Sequence, residues 1–257
     1  MDGAGPPVDE VAGLGPLGLV GVVWSVGWFS FGVVVVFWGV GLVSGHLVVE
    51  GFLATAGVVA GLIDEPVVDR RWHEPSALAE MSVGDLAAHL ARAVNNVDAY
   101  LGTAPAPDAI QVDAAGYFLF FDDVGPDIDT DLNRAVRDRA RTESAAGPEA
   151  VREVLRNSRR NLGERLPTSD PDGTLGVFGT LTMTVADYLR TRLVEMAVHL
   201  DDLATSVEVE SPELPPGVAD LVVGDLVTMA RRRHGDLAVL RALARRERDP
   251  GDVLRLF

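Results

Sequence analysis

Residues 190–204 read RTRLVEMAVHLDDLA. Counting from Leu189 just ahead of them, Leu193, Met196, Leu200 and Leu203 recur at alternating spacings of four and three, the seam of a helix packed along one face. Beside that seam run Glu195, His199 and Asp202. Residues four apart on a helix project from the same side, so Glu195 and His199 aim at one point and Asp202 sits a turn beyond His199. Two donor side chains on one helix half-build a metal site. Taken alone, the same spacing also describes a Glu–His ion pair.

A third donor is available at His89. Ser82 has the character of an N-cap with Asp85 three residues on, and the helix that follows places Val83, Leu86, Leu90, Ala93, Val94 and Val97 at helical spacing. His89 lies among those core positions, facing into the bundle or along its edge. A lone core histidine is ordinarily a hydrogen-bonded structural residue; here it is the candidate third ligand. A His, Glu, His set leaves a fourth position for water or substrate, as catalytic zinc requires, whereas structural zinc fills all four. Asp202 is then a candidate acceptor behind the ligands, or a base. His46, His73 and His234 fall in an apolar stretch, a link and the run ARRRHGD, and read as surface or linker residues.

Composition narrows the chemistry. The chain of 257 residues carries a formal net charge of −16, which argues against a nucleic-acid partner, because phosphate binding needs clustered cations. Every basic residue is arginine. Cysteine is absent, which removes disulfides, thiolate ligands and a cysteine nucleophile together. Any metal must be held by His, Asp or Glu, and any thiol must come from outside.

Residues 11–49 contain no formally charged side chain, and PLGLVGVVWSVGWFSFGVVVVFWGVGLV, residues 16–43, is long enough to span a bilayer. Two readings of residues 1–47 stand side by side: a membrane anchor over 17–43, or a non-native upstream extension. A buried core helix is a third. An anchor with Arg70 and Arg71 on its C-terminal side leaves the main domain in the cytoplasm.

From residue 48 onward the pattern is helical. VVEGFLATAGVVAGLIDEP starts the bundle and stops at Pro66; residues 103–128 are irregular, with YFLFF open between strand and buried turn. Residues 129–147 and 148–166, rich in arginine and acid, read as two surface helices. SDPDGTLGVFGTLTM reads as a loop with a short extended piece, after which Thr184 caps the helix of Glu195. Beyond a proline-rich break, residues 218–246 supply a last helical region interrupted near Gly235. The expectation is an all-α chain: an antiparallel four-helix bundle over 48–257 with an irregular crossover and an additional C-terminal helix.

With those residues located, RWHEPSALAEMSVGDLAAHL and DYLRTRLVEMAVHLDDLA carry a resemblance. The chain resembles the mycothiol-dependent maleylpyruvate isomerase family, within the wider DinB-like four-helix metalloproteins. The first signature is matched by Trp72, Pro75, Ser76, Ser82, Val83, Asp85, Leu86 and His89, the second by Glu195, His199, Asp202 and Leu203. The likeness covers roughly residues 48–257. It implies a zinc, or another divalent ion, held by His89, Glu195 and His199. It also implies that mycothiol supplies the missing thiol, which adds to a small electrophile; in the isomerase, addition, bond rotation and elimination turn a cis enone into a trans one. The chain departs from the family at Met81, where Trp is frequent, and in lacking a placeable equivalent of the family's substrate-binding arginine. Arg134, Arg137, Arg190 and Arg192 are candidates for anion contacts, Arg192 foremost because it lies one turn before Glu195; for each the alternative is a surface salt-bridge partner.

Three functions follow. The first is a zinc-dependent isomerase or thiol transferase using mycothiol, with Asp202 and Arg192 as catalytic candidates. The second is a non-catalytic metal-binding or interaction bundle, tethered to a membrane if the N-terminal segment is genuine. The third is a metal-free bundle in which Glu195 and His199 are an ion pair. Substrate identity and oligomeric state are not legible in the residues.

Overall fold

Both helix starts expected from Ser82 and Thr184 form as the side chains dictate. The Ser82 hydroxyl accepts from the Asp85 amide at 3.1 Å while the Asp85 carboxylate accepts from the Ser82 amide at 3.0 Å, and Thr184 accepts from the Asp187 amide at 3.0 Å. The computed structural model describes residues 44–121, 130–247, 250, 251, 253 and 254. The stretch 17–43, expected as an anchor or an extension, lies outside them.

The described chain runs α1 (Gly45–Ile63), α2 (Pro66–Arg70), α3 (Val83–Tyr100), β1 (Ile110–Gln111), α4 (Ala114–Phe120), α5 (Asp131–Ser144), α6 (Pro148–Arg165), β2 (Thr174–Val177), β3 (Leu181–Thr184), α7 (Val185–Val207), α8 (Val218–His234) and α9 (Asp236–Ala244). Four of these close a bundle: α1 packs on α7 and α6, and α3 packs on the same two from the other side. Helices α3 and α7 run antiparallel, since His89 meets His199 and Tyr100 meets Tyr188 at ring separations of 4.7 and 5.8 Å. The seam of α7 is buried throughout, Leu189, Leu193, Met196, Leu200 and Leu203 all reaching 2% exposure or less. Helix α1 is long and apolar enough to cross a membrane by composition, yet it buries Phe52, Val59 and Ile63 completely in the bundle.

Three local expectations are revised. YFLFF belongs to α4 and its C-cap, not to a strand. Helix α6 is a bundle wall rather than a surface helix: Val151, Leu155, Ser158 and Leu162 are buried, a seam spaced four, three, four that its many arginines obscure. The extended piece before α7 is a hairpin of β2 and β3, with Thr174 opposite Thr184, and β1 adds parallel to β3. Helix α1, which opens the bundle, begins at Gly45.

Two side chains near the start of α3 fix its position, and with it His89. Trp72 is buried against Gly84, where a Cβ placed on Gly84 meets the indole at 2.5 Å. Ala elsewhere in a helix stabilises relative to Gly by about 1 kcal/mol; here the overlap reverses the sign. Gly84→Ala is expected to destabilise by about 1–3 kcal/mol, read as a lowered denaturation midpoint.

Asp85 is buried and accepts from the Ser144 hydroxyl of α5 at 2.5 Å. Burial opposes its charge, but the bonds from Ser144 and Ser82 prevail and lower its pKa. A folded pKa below the unfolded one means the stabilisation is present above the unfolded value and is lost as pH falls through the folded one. Ser144→Ala is therefore expected to cost about 1–2 kcal/mol near neutral pH, a difference that narrows in acid below roughly pH 4 in denaturation curves.

Candidate metal centre

The stripe beside the α7 seam is occupied as its spacing predicts. Glu195 and His199 project together from α7, and His89 reaches them from α3, which the Ser82 cap and the Trp72 contact hold in register. His89 Nε2 and His199 Nε2 each stand 3.6 Å from the same oxygen, Glu195 Oε2. That is too long for a hydrogen bond. One donor atom from each of the three residues lies within 4.8 Å of the others. Ligands at about 2.05 Å in a tetrahedral zinc site are ~3.3 Å apart, so the separations are compatible with a divalent ion as well as with ion pairs from the histidines to Glu195. The side chains of His89, Glu195 and His199 keep 16%, 23% and 18% of their surface exposed.

Asp202 sits behind His199 rather than within the group of three. Its Oδ2 is 2.8 Å from His199 Nδ1, an arrangement that holds a proton on Nδ1, turns Nε2 towards Glu195 and raises the basicity of the ring. Asp201, its neighbour in sequence, turns outward to Ser211.

The charges are set accordingly. Burial disfavours the Glu195 charge, yet His199, His89 and Arg192 together hold the carboxyl well below its ordinary value. Burial pushes the His89 imidazole down, so it is neutral near pH 7 and ready to ligate. Burial also works against a charged His199, but Asp202 and Glu195 overcome it and lift the ring to about 9.

Of the four arginines singled out by sequence, three are engaged by acids: Arg134 by Asp131, Arg137 by Glu80 at 3.1 Å and Arg190 by Asp225 at 3.1 Å. Arg192 differs. Its side chain is only 7% exposed, its guanidinium carbon lies 5.1 Å from the Tyr117 ring centre and 5.3 Å from that of Tyr188, and Nη2 is 4.0 Å from Glu195 Oε1. Burial opposes its charge, but the two tyrosines and Glu195 keep it protonated.

Three neighbours of the centre escaped the sequence reading. Tyr188 was legible, because Tyr188, Arg192, Glu195, His199 and Asp202 continue one stripe at spacings of four, three, four and three. Arg92 was legible as the residue one turn beyond His89 on α3. Tyr117 was not, since its helix had no recognisable period. His46, His73 and His234 are exposed, as expected.

A model of the mycothiol maleylpyruvate isomerase N-terminal domain matches residues 52–204. The match covers more than half of the chain, contains His89, Glu195, His199 and Asp202, and ends before α8. No curated protein and no solved structure matches the chain.

Proposed function

The chain belongs to the mycothiol maleylpyruvate isomerase N-terminal domain family, and from that premise we propose that it is a zinc-dependent enzyme using mycothiol as thiol cosubstrate to isomerise a small electrophile or to transfer the thiol onto it. The observation that carries this reading is the convergence of His89, Glu195 and His199 from two facing helices on one point. When bound, zinc acts as a Lewis acid and keeps a coordinated thiol deprotonated near neutral pH.

The residues of the chain divide the remaining work. His89 offers a neutral nitrogen, His199 one once its proton is displaced, and Glu195 one negative charge, so the site would take a divalent ion with a single carboxylate of compensation. Asp202 is a positioning residue: its bond to His199 Nδ1 fixes which ring nitrogen is free. Arg192 presents a permanent positive charge beside Glu195 for an anionic group of the electrophile. Tyr117 and Tyr188 each set a ring within 5.3 Å of the guanidinium carbon, and the low exposure of the side chain strengthens its hold on a negative charge. With no cysteine in the chain, the nucleophilic sulfur is the cosubstrate's.

Metal analysis joined to turnover tests the reading. Purified protein is expected to bind about one equivalent of zinc tightly and to convert an electrophile only when mycothiol is present. Zinc below about a tenth of an equivalent, with no rise in Tm on adding zinc, sinks it.

A further inference from the structure

Buried polar atoms in folded proteins nearly all have hydrogen-bond partners, so the exceptions point to something the protein is built to receive. Among the described residues the exceptions on side chains are His89 Nδ1, Arg92 Nη2, Asn95 Oδ1, Tyr188 OH and Arg192 Nη2. All five fall on two short facing segments, residues 89–95 of α3 and 188–192 of α7. None lies on α1, α6 or the C-terminal helices, although Ser158 and Asp225 are buried there.

The five are not a random mixture. Three are donors fixed by chemistry: two guanidinium nitrogens and a phenol that burial keeps protonated. Arg92 lies one turn beyond His89 with a side chain only 9% exposed; its Nε donates to Glu143 Oε2 at 2.9 Å, which steadies the group and leaves Nη2 unpaired. Arg192 lies one turn before Glu195 on the opposite helix, 7% exposed, with its guanidinium carbon 5.1 and 5.3 Å from two tyrosine ring centres. Arg192 Nη2 stands 4.0 Å from Glu195 Oε1, and Arg92, on the facing helix, also feels the Glu195 charge. A buried guanidinium with an unpaired N–H is costly unless an acceptor arrives, and an oxyanion is the acceptor whose charge and geometry answer it.

We propose that Arg92 and Tyr188 complete, with Arg192, an oxyanion subsite between α3 and α7, one turn from the metal centre, which receives the negatively charged end of the electrophile. The proposal deepens the reading above and rests on it for the identity of the bound molecule. Arg192 alone would make a single charge contact on one wall. The added residues turn that contact into a two-walled grip that orients the bound anion relative to the metal.

Calorimetry with acetate as the probe and uncharged acetamide as its counterpart tests the subsite on the full chain, both metal-free and zinc-loaded. Acetate is expected to saturate with a dissociation constant on the order of millimolar in both forms, and acetamide not to bind. Arg92→Gln and Arg192→Gln should each weaken acetate roughly tenfold or more. Arg165→Gln, an equal loss of charge at the exposed pair with Asp98, should leave it unchanged. Tyr188→Phe removes a hydroxyl that has no protein partner, so it should weaken acetate several-fold without lowering Tm; it keeps the test intact even if an arginine variant fails to fold. Acetamide binding as well as acetate, or wild-type acetate affinity in both Arg92→Gln and Tyr188→Phe, overturns the subsite. Acetate binding that needs zinc and survives the substitutions overturns it too, since the ion is then the receptor. Acetate binding by metal-free protein that never takes up zinc supports the subsite while ending the metal reading, so the two ideas fail separately.

Discussion

His89→Ala is expected to lower bound zinc from about one equivalent to below about a tenth, and His199→Ala to do the same, with loss of any thiol-dependent turnover. Zinc affinity in small protein sites amounts to about 10–16 kcal/mol over its ligands, so removing one of three protein ligands costs about 3–5 kcal/mol, or roughly 10²- to 10⁴-fold in affinity. The His89 variant is the more informative. It leaves Glu195 and His199 on α7 untouched, and deletes the only ligand supplied by α3. The metal-free fold should hardly notice: His89 is partly exposed and its Nδ1 has no partner to lose. Zinc should therefore raise the Tm of the parent protein, by linkage worth ~4 kcal/mol at a thousandfold excess over Kd, and that of His89→Ala by linkage worth about 1 kcal/mol or less. In a metal-free bundle with a Glu195–His199 ion pair, neither metal content nor the zinc-induced shift would respond to His89. Equal Tm shifts in the two proteins would decide for that alternative.

The parts of this centre that could be read from sequence share one physical property: they lie along a single helix. Spacing of four and three places Glu195, His199 and Asp202 on one stripe whatever the rest of the chain does, and Ser82 with Asp85 marks the start of α3 by a bond between neighbours. What joins α3 to α7 is packing, and spacing cannot supply it. His89 meets the α7 stripe only through the antiparallel register, which sets its Nε2 3.6 Å from Glu195 Oε2. Arg192 shows the same limit from the other side. On the helix it looks like any surface arginine one turn from a glutamate; its burial depends on Tyr117, delivered by α4 from far away in sequence. Helix α6 was misread for a different reason. Its seam is sparse, three aliphatic residues and a serine, and the charges between them are numerous enough to mask it.

Asp202→Ala is expected to weaken zinc about 10–100-fold at high pH, and Asp201→Ala to leave it unchanged. The two acids are adjacent, equally charged and indistinguishable by composition, so a difference between them isolates the bond to His199 Nδ1 from the general effect of losing a negative charge. The pH dependence sharpens the test. In the metal-free protein Asp202 and Glu195 raise His199 to about 9, so zinc must displace a proton there below that pH. Affinity in the parent protein should then climb with pH and level off near 9. Without Asp202 the imidazole loses its proton at a lower pH, and affinity should level off earlier. The two effects of the carboxylate oppose each other near neutrality: it orients the ring and makes it a better donor to the metal, and it also makes the ring a better competitor for protons. The deficit of Asp202→Ala should accordingly be small near pH 7 and widen towards pH 9.5, measured by competition with a zinc chelator of known pH dependence. A deficit constant across that range would mean that Asp202 acts on the fold around His199 and not through its ring nitrogen.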